Sequence, residues 1–136
     1  MTPEQKKLIK STWAAVVPIA DTAAGLFYGR LFETDPSTRP LFQSTDMSEQ
    51  RKKLMQALIV VVNGIDDLGQ IIPTVEQLAR RHLAYGVKDQ HYDSVGAALL
   101  WTLEQGLGEQ WTPEAKGAWL AAYGTLAGVM RAAAAA

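Results

Sequence analysis

The chain has no cysteine among its 136 residues. That excludes a disulfide framework, a thiolate zinc site and an iron–sulfur cluster. It has only two histidines, His82 and His91, so an all-protein zinc site would have to lean on carboxylates. No charge of one sign dominates: 13 basic and 14 acidic residues leave a net charge of −1, with a pI near 6.1. A nucleic-acid binder needs a basic field, which this balance does not supply. The longest apolar run, Ala57 to Val62, is far too short to span a bilayer. The opening residues, MTPEQKKLIK, lack the apolar core of a signal peptide. A soluble cytoplasmic protein with no nucleic-acid or membrane partner is the expectation. No segment repeats with a period of roughly 20 to 50 residues, so a solenoid is out.

What is present is ordinary globular material, 48% hydrophobic and 20% charged. The length allows one domain with a full core, expected over residues 1–131. The spacing predicts helices throughout and no strand. Thr2-Pro3-Glu4 is a helix start, followed by the stripe Leu8, Ile9, Trp13, Val16 and Val17, with Pro18 at its end. A second helix is expected over Ile19 to Thr34. Ile19, Ala23, Leu26, Phe27 and Leu31 form one stripe, and Tyr28 and Phe32 form another. Asp35-Pro36 breaks it and opens a two-turn piece ending at Phe42.

Ser48 is expected to begin a long helix to Leu68, closed by Gly69. Gln50, Leu54 and Leu58 stack along one edge of its inner face. The β-branched run Ile59 to Val62 favours a strand locally, but the helical pattern around it is longer. A helix from His91 to Leu107 presents Val95, Leu99, Leu103 and Leu107, and Gly108 stops it. Thr112-Pro113-Glu114 caps the last helix, expected to reach Arg131 with Trp119, Tyr123, Leu126 and Met130 inward. Residues 132–136 are all alanine, have no stripe to bury and are expected to fray. Unequal helices with proline-marked corners suggest a pile packed at steep angles rather than an even bundle.

The segment PTVEQLARRHLAYG is the most informative. As a helix it puts Val75, Leu78, Ala79, His82 and Tyr85 or Gly86 on one side. An imidazole aimed inward from such a stripe needs a partner, because an unpaired buried polar group costs free energy. A carbonyl, a hydroxyl or a metal would serve. His91, at a helix start beside Gln90 and Asp93, is read as exposed. Trp101 falls on a mostly polar face with Ser94, Ala97, Glu104 and Gln105, where it could mark a contact between subunits.

In order and spacing, LFYGRLFETDPSTRPLF, the pair Gln50 and Leu54, ARRH with HLAYGV, QHYDSVG and AWLAAYG resemble a bacterial single-domain globin of the flavohaemoglobin-related group. The similarity covers the chain up to the alanine tail. Gln50 and His82 lie 32 positions apart, the interval between distal and proximal residues in that group. The resemblance implies an all-α globin fold, about seven helices around a pocket for haem b. It makes His82 the proximal iron ligand and Phe42 the ring stacked on the porphyrin. Tyr28 and Gln50 become the distal pair beside bound ligand, with Leu54 closing the pocket. Lys53 and Arg81 are candidate propionate partners, Val87 and Val95 proximal haem contacts, and Tyr92 the tyrosine that props the imidazole.

The chain departs from that group in two ways. No G-x-G-x-x-G follows a strand, so turnover that oxidises iron would draw electrons from a separate reductase. The last helix offers only alanine where the group places a glutamate in its proximal relay. The implied partners are dioxygen, NO and CO, for a monomer or weak homodimer. Two functions follow: tight, slow-releasing oxygen binding for storage, delivery or scavenging, and NO dioxygenation. A haem-free globin-fold sensor is a third.

Overall fold

Thr2 opens the first helix through a capping box. Its hydroxyl accepts the Gln5 N–H at 3.1 Å, and the Gln5 side chain accepts the Thr2 N–H at 3.0 Å. The computed structural model describes residues 1–135, except the side chains of Ala84 and Ala135. Helix α1 runs Pro3–Val16 and leads through a 3₁₀ turn, Val17–Ile19, into α2, Ala20–Thr34. A second 3₁₀ segment, Pro36–Phe42, is the expected two-turn piece, with the Asp35 carboxylate accepting the Ser37 N–H. Then come α3, Met47–Asn63, and α4, Leu68–Ala84. Helix α5, Asp89–Leu107, a short 3₁₀ turn and α6, Pro113–Ala135, complete the chain. Among the described residues there is no strand, and no helix is long and apolar enough to cross a membrane.

The long helix expected to reach Leu68 stops five residues sooner. Gly64, not Gly69, is its cap, with its N–H on the Val60 carbonyl at 3.0 Å. A Cβ on Gly64 would stand 2.6 Å from Ile71 Cγ2, so Ile71 of α4 packs directly on that corner. Gly69 and Pro73 therefore lie inside α4. Pro73, the sixth residue of α4, forfeits one helix hydrogen bond just beyond the first turn, whose N–H groups have no helical acceptor. Helix α5 begins two residues before the expected His91, and α6 continues four residues past Arg131 as helix-favouring alanine.

Helix α2 lies along α5, while α1 and α4 lie along α6. Helix α3 packs on α2 and touches α4 only sparsely. The core between these layers holds Ile9, Trp13, Phe27, Leu31, Ile65, Leu99, Leu103 and Trp119. Three residues expected inside, Val17, Ile19 and Leu26, are exposed instead. The buried stripe of α2 is Ala23, Ala24, Phe27, Tyr28 and Leu31, which leaves Leu26 at its edge. Buried Thr12 is satisfied twice: it donates to the Leu8 carbonyl at 2.6 Å and accepts the Trp119 indole N–H at 2.9 Å.

Two glycines test this packing. A Cβ on Gly96 would stand 2.7 Å from the Tyr123 ring, so α5 and α6 meet there through a missing side chain. Gly96→Ala should lower stability by about 1–3 kcal/mol through overpacking. Gly29 of α2 has nothing within 4 Å of such a Cβ, and Gly29→Ala should raise stability by up to about 1 kcal/mol. Urea unfolding of both variants checks the pair. Equal effects of the same sign would contradict the α5–α6 contact.

Candidate functional site

Helix α4 buries Val75 and Ala79 and half-buries Leu78 and His82, as its apolar stripe requires. Tyr85, read as part of that stripe, is 64% exposed. The helix has ended by then, and Gly86 turns the chain with φ +93°. The His82 Nδ1–H donates to the Leu78 carbonyl at 2.6 Å. A carbonyl oxygen has two lone pairs, so Leu78 can take this bond beside its helix bond. In the neutral ring this places the lone pair on Nε2, which faces away from its own backbone. Among the described residues no three histidine, cysteine or carboxylate side chains converge on a metal position. A metal at Nε2 would have to bring its other ligands with it, as the iron of a porphyrin does.

Tyr28 of α2 and Gln50 of α3 meet. The Gln50 amide donates from Nε2 to the Tyr28 hydroxyl at 3.1 Å. Burial raises the phenol pKa above its ordinary value, and the Gln50 bond only partly offsets this. Tyr28 therefore keeps its proton, and with its oxygen accepting from Gln50 its O–H is free to donate elsewhere. Phe42 is held by rings. Its centroid is 5.5 Å from Tyr28 and 5.5 Å from Phe32, and Phe27 sits edge-on to Tyr28 at 4.9 Å. Leu54, one turn beyond Gln50, is half-buried against the core.

The other sequence-derived positions spread around these two centres. Lys53 and Arg81 are exposed and make no ion pair among the described residues, so both heads are available to an anion. Val87 and Val95 are half-buried. Tyr92 is buried, but among the described residues no hydrogen bond joins it to His82. The aromatic ring beside His82 is that of Tyr85, at 6.3 Å. The Tyr92 carbonyl accepts the Tyr123 hydroxyl, and Arg131 lies over the Tyr92 ring at 5.4 Å.

Two residues were missed from sequence. Arg131, the only charged residue after Lys116, stands at the base of α5. Its guanidinium reaches Asp89 at 3.0 Å and Asp93 at 2.8 Å, putting a cation where the alanine run suggested nothing. His91, read as exposed, is 4% exposed. It is the third residue of α5, and its Nδ1 accepts the Lys88 N–H at 2.9 Å. The signal was the capping position, concealed by placing the helix start two residues late. Trp101 stands apart from this site, on the far side of α5, under the Arg30 guanidinium at 4.9 Å.

The residues suit an iron porphyrin. An imidazole has one free nitrogen, two uncharged donors are paired on neighbouring helices, a fixed phenylalanine ring stands beside them, and two exposed cations, Lys53 and Arg81, are free for carboxylates.

The globin family model matches residues 25–130. A flavohemoprotein of Bacillus subtilis is 37% identical over 123 residues, which is 89% of this chain and 31% of that protein. One from Bordetella parapertussis is 33% identical over 132 residues, 96% of this chain and 33% of that one. The chain thus spans about a third of the length of these curated relatives. A bacterial globin from Campylobacter jejuni superposes with a TM-score of 0.86 at 27% identity, covering 98% of this chain and 96% of that one. With six α-helices among the described residues and His82 on the inner stripe of α4, the chain belongs to the globin family, the haem proteins that bind diatomic gases.

Proposed function

We propose that the protein holds haem b through His82 Nε2 and binds dioxygen reversibly, with high affinity and slow release. The observation that carries this is the bond from His82 to the Leu78 carbonyl, which fixes the tautomer a metal ligand needs. Haem, when bound, would supply the iron to which a diatomic gas attaches. Everything else is done by the chain. Lys53 and Arg81 offer cations to the propionates. Phe42 and Leu54 give the macrocycle apolar faces, with Val87 and Val95 on the proximal side, and Tyr92 supports that side.

Tyr28 and Gln50 discriminate among gases. Dioxygen gains negative charge on binding, whereas CO gains little. Tyr28 can donate its O–H while Gln50 holds the phenol from behind. Neither donor carries a charge that must be desolvated. A hydrogen bond to a charged acceptor contributes about 1.5–3 kcal/mol, which slows release roughly ten- to a hundredfold. The His82 Nδ1–H bonds a neutral carbonyl, and among the described residues no carboxylate is hydrogen-bonded to this ring. An anionic push on the imidazole is therefore weak, which favours binding over oxygen activation.

Nitric oxide dioxygenation with a separate reductase is the second reading. It is supported by the flavohemoproteins among the relatives, of which this chain matches one portion.

Four measurements test these readings. Protein purified or reconstituted with haemin should show a Soret band, and His82→Gly should lose it until free imidazole is added. A preparation that stays colourless with haemin sinks the proposal. Tyr28→Phe should speed oxygen loss by about ten- to a hundredfold while changing CO loss by less than about threefold. Equal changes for both gases would show that the phenol acts by space alone. Because burial raises the Tyr28 pKa, the wild-type oxygen-loss rate should stay flat from neutrality to about pH 9. Steady-state NO consumption with a cellular reductase separates the two functions, and no turnover leaves the binder.

A further inference from the structure

His91 lies outside the pocket, yet it is buried and bonded at both nitrogens. The Lys88 N–H donates to Nδ1, so Nδ1 carries no proton and Nε2 does. Nε2–H then donates to Ser37 Oγ at 3.2 Å. The Ser37 hydroxyl in turn donates a hydrogen bond to Asp35 Oδ1, and Ser94 donates to Asp35 Oδ2 at 2.6 Å. Hydrogen bonds from Ser37 and Ser94 hold the Asp35 carboxyl below the usual carboxylate range. Each donor in this chain meets one acceptor, from Lys88 to Asp35, with no buried charge left over.

The two ends of the chain belong to separate walls. Asp35 and Ser37 open the segment Pro36–Phe42, which ends in the Phe42 ring. Lys88 closes the turn that leaves α4, and that turn is tied to His82, because the Val87 N–H donates to the His82 carbonyl at 3.0 Å. The two segments also touch: a Cβ on Gly86 would stand 3.3 Å from Leu41. A fully satisfied polar chain, buried at His91 and open to solvent at Ser37, joins segments 54 residues apart and fixes their separation more sharply than apolar contact does.

We propose that His91 is a positioning residue for the haem pocket. With Ser37 and Asp35 it forms a clasp that sets the spacing between Phe42 and the turn carrying Val87, and so how firmly a flat macrocycle is retained. The inference rests on the haem reading above. It differs from a plain helix cap, because a cap ends at Lys88 and has no use for Ser37.

Two variants separate clasp from cap. In His91→Gln, glutamine at the third helical position can still reach back to the Lys88 N–H, as in a capping box, but it cannot span to Ser37. Ser37→Ala removes the far end of the clasp from an exposed position and leaves the α5 cap intact. Haem transfer to excess apomyoglobin should run about five- to tenfold faster in each, the effect of one buried hydrogen bond. The double variant should be no faster than the singles, since a strut breaks once. The stretching band of bound CO should broaden in all three.

Wild-type haem loss and an unchanged CO band in both singles would overturn the clasp, as would effects that simply add. If His91→Gln does not fold, Ser37→Ala decides alone. If the wild type takes up no haemin, the clasp and the haem assignment fall together. If it binds haemin and the variants match it, only the clasp falls.

Discussion

An imidazole has two nitrogens, and at His82 one is already committed to the carbonyl of Leu78. That bond decides the tautomer, the direction of the ring and which nitrogen is left as a base. The apolar stripe of α4 turns the residue inward, and the close of the helix at Ala84 frees the turn that follows. Without the bond the ring could rotate, and a ligand at the end of a loose side chain loses much of its affinity to ordering entropy. The sparse contact between α3 and α4 acquires a meaning from the same constraint. On the proposed haem reading, closer packing of those helices would narrow the space that a flat cofactor needs beside His82.

At the Tyr28–Gln50 pair the chain avoids charge. Tyr28 is buried and its phenol is pushed toward the neutral form, and Gln50 is an amide. A lysine or arginine there would attract a partly negative gas more strongly, but it would have to be desolvated when the pocket is empty. Two neutral donors avoid that cost and hold each other in register through the 3.1 Å bond. The four-ring cluster of Phe27, Tyr28, Phe32 and Phe42 then fixes the phenol by packing. Offset and edge-on aromatic contacts of this kind add stability beyond buried area.

The parts of this fold legible in the sequence are those set by local chemistry. Thr2-Pro3, Asp35-Pro36 and Thr112-Pro113 cap helices because their side chains meet backbone N–H groups within three residues. The inward face of α4 was legible because periodicity is local too. What failed depended on distant partners. Gly64 and Gly69 are equivalent as stop signals until Ile71 packs on one of them. Val17 and Leu26 look like core residues until the neighbouring helices choose which edge of each stripe to cover. The burial of His91 was invisible because Ser37, which covers it, is 54 residues earlier. Arg131 at Tyr92 was hidden for the same reason, since its partners Asp89 and Asp93 sit on another helix.

The two histidines also show why only one of them can serve a metal. His91 stands in the first turn of α5, where backbone N–H groups lack helical acceptors. An imidazole there is captured at Nδ1 by such a donor and must carry its proton on Nε2, which makes Nε2 a donor and useless to a metal. His82 stands in the last turn of α4, beyond the reach of orphan N–H groups but within reach of a carbonyl. An imidazole there donates its Nδ1–H, and in the neutral ring Nε2 keeps its lone pair. Position along a helix thus selects the tautomer, and the tautomer selects the role. One ring is able to grip a cofactor, and the other is able to brace the walls around it.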